Sequence, residues 1–237
     1  MKHIGFSSGA LALGNFDAAL EILRDFEVDS VELSALRARE VEVLISALPR
    51  LDLRRYSYVS FHAPSAFVES EEDLLAQYLY SRVPDSWPIV LHPDAIYDFS
   101  IWRRFGKRLA IENMDRRKPI GRTVAELAKI FDLLPDARFC FDIGHARQCD
   151  ASMTEAYFML KTFGSRIVQV HVSEVNSASQ HERVSYAAKL AFQEVVPLLP
   201  PQAPLILESR AKPNEIAEEL RTVKELFESA DLVAAVA

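Results

Sequence analysis

The stretch Arg138-Phe-Cys-Phe-Asp142-Ile-Gly-His145 is a short apolar run that ends on a carboxylate and is followed, three residues later, by a histidine. Apolar runs of this length are typical of buried strands. Other short apolar runs of the chain also end on a histidine or an acidic residue, namely His62, His92, Glu112, His171 and Glu208. When parallel strands all end on such side chains, we expect the ends to converge on one place.

Strand-like runs alternate with helix-like segments along the whole chain. The runs predict strands near residues 3–6, 30–33, 58–62, 89–92, 109–112, 139–142, 167–171 and 205–208. The segments between them carry apolar residues at three- and four-residue spacing, as in Val124, Leu127, Ile130 and Leu134. This spacing indicates amphipathic helices, and the last one is expected near residues 213–228.

Several predicted helices begin with capping residues. Asn15 precedes the first helix, residues 70–73 open the third, and Thr123-Val-Ala-Glu126 has the Ser/Thr-x-x-Glu form of a capping box. In such a box the hydroxyl and the carboxylate satisfy free backbone N–H groups of the first turn.

Eight strands, each followed by a helix, in 237 residues predict a single (β/α)8 TIM-barrel domain spanning 1–237. An open, doubly wound sheet would usually carry a G-x-G-x-x-G turn after its first strand. Here that turn, Ser7-Ser-Gly-Ala-Leu-Ala-Leu-Gly14, lacks the spacing. In a barrel the loops at the C-terminal strand ends build the active site, which is where the histidines and carboxylates fall.

Composition restricts the partners and the compartment. The net charge of −7 and the pI near 5.4 argue against electrostatic binding of nucleic acid or of an anionic membrane by the surface as a whole. A local basic patch is still compatible with these values. Only two cysteines occur: Cys140 in a predicted strand, expected to face the barrel interior, and Cys149 in the loop after it. Neither a disulfide framework nor a signal peptide or membrane span is legible, so a soluble cytoplasmic protein is expected.

Histidine nitrogens and carboxylate oxygens are the usual ligands of zinc, manganese and similar divalent ions. Six motifs in this order resemble the xylose-isomerase-like TIM-barrel superfamily, which holds sugar isomerases and epimerases together with endonuclease IV. They are Ser60-Phe-His62-Ala-Pro64, Leu91-His92-Pro93, Ala110-Ile-Glu112-Asn113, Cys140-Phe-Asp142-Ile-Gly-His145-Ala146, Val170-His171-Val-Ser-Glu174 and Ile206-Leu-Glu208-Ser209.

The resemblance implies a divalent metal site, zinc or manganese, held by Glu112, Asp142, His171 and Glu208. Burying three carboxylates without a counter-charge would cost several kcal/mol apiece, which supports that set. The endonuclease branch implies further ligands, matched by His62, His92, His145 and His181. In that branch an Asp precedes the last histidine, and Ser179 stands in its place here. One or two ions are therefore expected rather than three.

Substrate contact or ordinary hydrogen bonding is the alternative role for several of the histidines and for other polar residues of the chain. In sugar isomerases of the group, equivalents of some of the histidines contact substrate hydroxyls instead of a metal. His3 is expected to be an ordinary hydrogen-bonded residue, because it lies at the opposite end of its strand. Glu32 and Asn113 are candidates for the rim of the site, and for Glu32 ordinary loop hydrogen bonding is favoured. The cluster Arg116-Arg117-Lys118 either holds a phosphate or sugar acid or is simply solvated.

Three functions follow, in order of preference. The first is a metal-dependent isomerase or epimerase of a sugar or related polyhydroxy carbonyl compound, in which Glu112 and Glu208 exchange a proton with carbon. The second is a metal-dependent phosphodiester hydrolase of the endonuclease IV type, against which Ser179, the short loops and the acidic surface argue. The third is a barrel that binds a metal or ligand without catalysis. Neither the substrate nor the oligomeric state follows from one sequence.

Overall fold

The computed structural model describes the backbone of residues 3–234 and the side chains of residues 3–228. Eight parallel strands close into a barrel in which neighbours in sequence are neighbours in space, and the last strand pairs with both the seventh and the first. They are β1 (Ile4–Ser7), β2 (Ser30–Ser34), β3 (Tyr58–His62), β4 (Ile89–Leu91), β5 (Leu109–Glu112), β6 (Arg138–Asp142), β7 (Ile167–Val172) and, after a short hairpin formed by β8 (Glu174–Val175) and β9 (His181–Glu182), β10 (Leu205–Leu207). The barrel prediction is confirmed, and each predicted strand agrees with the structure to within about a residue at either end.

Ten α-helices lie between and after the strands in the described part of the chain. They are α1 (Ser8–Ala12), α2 (Phe16–Leu23), α3 (Ala38–Ala47), α4 (Glu72–Arg82), α5 (Phe99–Trp102), α6 (Val124–Leu133), α7 (Ile143–Cys149), α8 (Thr154–Phe163), α9 (Tyr186–Gln193) and α10 (Ile216–Ala234). The hairpin of β8 and β9 is a two-stranded antiparallel sheet outside the barrel. Among residues 3–234, no helix is both long and apolar enough to cross a membrane.

Asn15 caps its helix as expected, accepting a hydrogen bond from the backbone N–H of Ala18 at 3.1 Å. Thr123 accepts a hydrogen bond from the backbone N–H of Glu126 at 3.3 Å, but the Glu126 carboxylate accepts from the backbone N–H of Arg122, so only half of the predicted capping box forms. The third helix begins differently, because a 3-10 turn at Glu69–Glu71 precedes α4 and no side chain caps it. Cys149, expected in a loop, is the last residue of α7, because that helix starts directly after β6.

The strands have two differently composed faces. Side chains such as Leu33, Phe61 and Phe141 point away from the barrel axis and join the large apolar core under the helices. The interior instead holds a small separate cluster of Val90, Ala110 and Cys140. Residues of a strand alternate between these faces, so Asp142 and Cys140 share the interior face, as predicted for Cys140.

Candidate metal centre

All eight side chains predicted as metal ligands converge at the C-terminal mouth of the barrel. They form three groups, in each of which one ligand atom per residue lies within 4.8 Å of the others. The groups are His62, His92 and Glu112; then Glu112, Asp142, His171 and Glu208; then Asp142, His145 and His181. Glu112 and Asp142 each belong to two groups, so the three groups are adjacent.

Strand register brings the four-residue group together. Asp142 on β6 and His171 on β7 are direct partners across the sheet. Glu112 ends β5, the other neighbour of β6, and Glu208 follows β10, the other neighbour of β7. Because all four strands are parallel and their interior faces align, their last interior side chains must meet at the same end of the barrel.

His145 reaches the site through α7. The carboxylate of Asp142 caps this helix, accepting a hydrogen bond from the backbone N–H of His145 at 2.6 Å. Between them, Gly144 lies against the neighbouring strand, where a Cβ atom would stand 2.4 Å from the carbonyl oxygen of Ser173. Only glycine fits this close approach, which explains the Asp-Ile-Gly-His sequence at this turn.

The two carboxylate oxygens of Glu112 face different histidines. Oε2 lies 3.2 Å from Nε2 of His62 and 3.2 Å from Nε2 of His92. Oε1 lies 3.3 Å from Nδ1 of His171 and 3.3 Å from Nδ1 of His145. Glu112 is 1% exposed, so these histidines, rather than solvent, surround its charge. One oxygen for each set of histidines is the arrangement of a carboxylate that can bridge two cations.

On the side of β10, Glu208 meets two further histidines. Its Oε2 lies 3.4 Å from Nδ1 of His171 and 3.6 Å from Nδ1 of His181. His181 is oriented by Ser173, whose Oγ lies 2.8 Å from Nδ1. His145 and His181, expected to lack a carboxylate partner, lie close enough to Asp142 for the three to share one ion. Ser179 instead donates a hydrogen bond to Asp115 Oδ1 at 2.7 Å.

Glu32 was misjudged from the sequence. It is not a loop residue but a fully buried interior side chain of β2, beneath the histidines. Its Oε2 accepts hydrogen bonds from Ser60 Oγ at 3.0 Å and Gln169 Nε2 at 2.7 Å, and lies 3.2 Å from Nε2 of His171. The signal was present, because Val31 and Leu33 face outward and alternation then places Glu32 inside. Glu32 also forms a group with His62 and Glu208.

The structure gives His3 the expected hydrogen bond, whereas Asn113, a candidate for the rim, is fully buried. His3 lies at the opposite end of the barrel, with its Nδ1 2.6 Å from Asp29 Oδ2. Asn113 exchanges two hydrogen bonds of 2.8 Å with the backbone of Asp142. Asn113 therefore links the end of β5 to the end of β6 and positions Asp142, a candidate ligand.

Burial and mutual attraction shift the titration of the cluster strongly. Burial would raise the pKa of Glu112, but the charges of His171 and His92 outweigh it and hold that pKa well below its ordinary value. Burial opposes charge on His62 and His145, yet contacts with neighbouring carboxylates raise their pKa values to about 9 and about 10. Burial raises the pKa of Glu208 to about 7 and lowers the pKa of His181 to about 3.

These side chains fit divalent metal ions. In the metal-free protein, protons on His62 and His145 balance the buried carboxylates at neutral pH. Even so, buried polar atoms are left without a hydrogen-bond partner, among them Asp142 Oδ2, His92 Nδ1 and Glu32 Oε1. Orphaned buried acceptors are costly, and a cation coordinated by His nitrogens and carboxylate oxygens would satisfy the carboxylate oxygens among them.

A pocket of about 320 Å³ opens above the centre. That volume is near the lower end of the range for small-ligand sites, roughly 300–1,000 Å³. Its floor includes His62, His92, Glu112, His145 and Glu208, and its rim includes residues of the loops after β1, β2, β5 and β10. The candidate ligands are thus accessible to a small molecule.

Comparison with known families agrees with this geometry. Residues 98–226, more than half of the chain, match the family described as xylose isomerase-like TIM barrel. The chain belongs to this family. The resemblance drawn from the six strand-end motifs is thereby confirmed. A search of curated proteins found no match.

Solved structures of xylose isomerase-like barrels and their relatives share the fold. A xylose isomerase domain protein from Alicyclobacillus acidocaldarius subsp. acidocaldarius is 11% identical, with a TM-score of 0.63 over 98% of this chain and 99% of that one. Endonuclease IV from Thermus thermophilus is 18% identical, with a TM-score of 0.61 over 96% and 99%. The 3-keto-D-glucoside 4-epimerase of E. coli is 12% identical, with a TM-score of 0.54 over 95% and 99%. Such identities establish fold and leave the reaction open.

Proposed function

We propose that this protein is a metal-dependent hydrolase of phosphoesters with two adjacent metal ions. The observation that carries the proposal is the division of the Glu112 carboxylate, with one oxygen facing His62 and His92 and the other facing His145 and His171. Paired metal ions that share ligands are typical of phosphatases and nucleases. A mononuclear isomerase has no need of a bridging carboxylate.

His62, His92 and Glu112 would hold one ion, and Glu112, Asp142, His171 and Glu208 the other. Metal ions at these positions would supply Lewis acidity toward a phosphoryl oxygen and toward water. The chain itself orients the ligands. The Glu32 carboxylate lies beside Nε2 of His171, and Asn113 accepts a hydrogen bond from the backbone N–H of Asp142 at the end of β6. The Ser173 hydroxyl is hydrogen-bonded to Nδ1 of His181.

The test is hydrolysis of phosphodiester and phosphomonoester probes by the metal-loaded protein. We expect metal-dependent release of alcohol or phosphate that chelation abolishes. Glu112→Gln should reduce the rate by roughly 10²-fold or more and remove about one ion per chain, because it takes away half of a bridging pair. The matched control is Glu225→Gln, an exposed glutamate that pairs with Lys189. A protein that binds one ion per chain and hydrolyses no phosphoester contradicts the proposal.

A second candidate is the isomerase or epimerase favoured by the sequence. What supports it is that Glu112, Asp142, His171 and Glu208 form a complete four-ligand group without the other histidines. The 3-keto-D-glucoside 4-epimerase with the same fold has sugar chemistry of this kind by name. For this candidate Glu112 and Glu208 move a proton at carbon, so sugars incubated in deuterated water should acquire deuterium beside the carbonyl. Exchange without phosphoester cleavage would favour this candidate.

A further inference from the structure

Three cations line the mouth of the pocket and have no part in holding metal. Arg117 and Lys118 come from the loop after β5, and Arg210 lies two residues beyond Glu208 in the loop after β10. The protein as a whole is acidic, with a net charge of −7. The pocket mouth, with three positive side chains, therefore has the opposite charge to the protein as a whole.

Arg117 and Lys118 are held in place but keep free donors. Lys118 Nζ lies 2.8 Å from Asp94 Oδ2, and its side chain is only 23% exposed. Arg117 donates from Nε to Asp115 Oδ1 at 3.3 Å and from Nη2 to the carbonyl of Ser179 at 3.1 Å. These bonds leave Nη1 of Arg117 and two ammonium hydrogens of Lys118 for another acceptor. Ordering the side chains in advance lowers the entropy cost of binding a ligand there.

Arg210 is different because it has no partner. Its exposed guanidinium makes no hydrogen bond or ion pair with any residue that the structure describes. Two other arginines beyond the strand ends, Arg122 and Arg147, are neutralised by Glu126 at 2.7 Å and by Glu174 at 2.9 Å. The unpaired guanidinium of Arg210 therefore lines the pocket, and its five N–H donors are free to bind an anion.

The segments that follow β1 and β2, including α1, line another part of the same pocket with apolar side chains. Ala10, Leu13 and Leu36 contribute, and Leu13 is 68% exposed with a positive φ of 52°. A leucine held in the left-handed region and left in water is costly in two ways, by backbone strain and by apolar exposure. A ligand with an apolar part would cover it.

We propose that Arg117, Lys118 and Arg210 form a subsite for a phosphate group of the substrate other than the one that is hydrolysed. The substrate then carries two phosphates joined by a part with an apolar face, as in a nucleotide unit. Arginine suits such recognition because its planar fork donates two parallel hydrogen bonds to phosphate oxygens. The inference rests on the proposed phosphoester hydrolysis for the placement of the first phosphate at the metal ions.

The experiment compares two ligands by calorimetry on the metal-loaded protein. Thymidine 3′,5′-bisphosphate offers a second phosphate, whereas thymidine 5′-phosphate offers one. We expect the wild type to bind the bisphosphate about 10-fold or more tightly, as charge-assisted hydrogen bonds would provide. Arg210→Ala should remove most of that preference while leaving the affinity for the monophosphate nearly unchanged. Arg210→Lys should keep part of it, because the charge stays and the fork is lost.

Arg147→Ala is the matched control, since Arg147 is paired with Glu174 and does not line the pocket. It should keep the full preference. No preference in the wild type, or an equal preference in Arg210→Ala, overturns the subsite. Phosphorus NMR of the same samples reports hydrolysis separately. If neither ligand nor any diester is cleaved but the preference is present and depends on Arg210, the subsite stands and the proposed function falls.

Discussion

Five histidines and four carboxylates share the barrel mouth, and at the scale of single residues their charges explain the site. They are His62, His92, His145, His171 and His181, with Glu32, Glu112, Asp142 and Glu208. Buried carboxylates need counter-charge, which protons on the histidines supply when no cation is bound. Metal ligation requires neutral imidazole, so ions and protons compete for the same atoms.

Metal binding should therefore release protons. Despite burial, the pKa of His62 is raised to about 9 and the pKa of His171 is raised well above its ordinary value, so both are protonated at pH 7 in the metal-free protein. Binding of the two proposed ions uses both histidines and should release about two protons at pH 7, and apparent affinity should rise with pH through the pKa of His62 near 9. Calorimetry in buffers of different ionisation enthalpy measures the release. His62→Asn should lower it by about one proton, and a wild type that releases none would contradict the assignment.

Glu32 lies behind His171 and would orient this histidine toward a bound metal ion. Nδ1 of His171 faces Glu112 and Glu208, while Nε2 faces the Glu32 carboxylate at 3.2 Å. A carboxylate behind a ligating histidine fixes the ring and raises its basicity. Glu32→Gln should weaken metal binding by roughly 10- to 100-fold and preserve the fold, because the amide is nearly the same shape. Competition with a chelator measures the affinity, with Glu225→Gln as control. Unchanged affinity would leave Glu32 a structural residue only.

At the scale of elements, the turn from β6 into α7 decides whether the third group of ligands exists. Asp142 ends the strand, caps the helix and is itself a candidate ligand, while His145 stands one turn later. The helix can start so close to β7 only because Gly144 has no side chain. The four residues Asp142-Ile-Gly-His145 therefore end β6, cap α7 and place two candidate ligands, so that a change in one of these features should alter the others.

Gly144→Ala tests that coupling. The added Cβ would lie 2.4 Å from the Ser173 carbonyl, so α7 must shift and carry His145 away. We expect a loss of unfolding free energy of about 1–3 kcal/mol, as for other overpacked sites, together with weaker metal binding. Gly164→Ala is the control, because its Cβ would meet no atom within 4 Å and its φ of −53° suits alanine. Chemical denaturation of both variants gives the comparison, and equal stabilities would show that the backbone adjusts freely.

At the scale of the whole molecule, charge limits the kind of substrate. The positive side chains of the pocket mouth are few, and the chain as a whole carries −7. An enzyme that grips a duplex needs a broad face that neutralises many phosphates. The pocket volume of about 320 Å³ also suits a small ligand.

We accordingly expect no tight, salt-sensitive binding to duplex DNA. Fluorescence anisotropy with a labelled duplex between about 50 and 200 mM salt measures it, since a protein with many phosphate contacts loses several decades of affinity over that range. Strong binding with a steep salt slope would reverse the expectation and point to a nucleic-acid substrate. A small phosphoester substrate predicts weak binding throughout.

The sequence by itself determined the barrel and the ligand-type residues at the strand ends, because both depend on local pattern, whereas His181 was implied only by the family resemblance. Apolar runs alternating with amphipathic helices indicate parallel strands, and parallel strands in a closed barrel must bring terminal residues such as Glu112, Asp142 and His171 to one end. Only the tertiary structure decided which of these side chains contact one another. The division of the Glu112 oxygens, the burial of Glu32 and the unpaired state of Arg210 depend on distances between residues far apart in the chain. Those distances follow from barrel closure and side-chain packing, which no local pattern specifies.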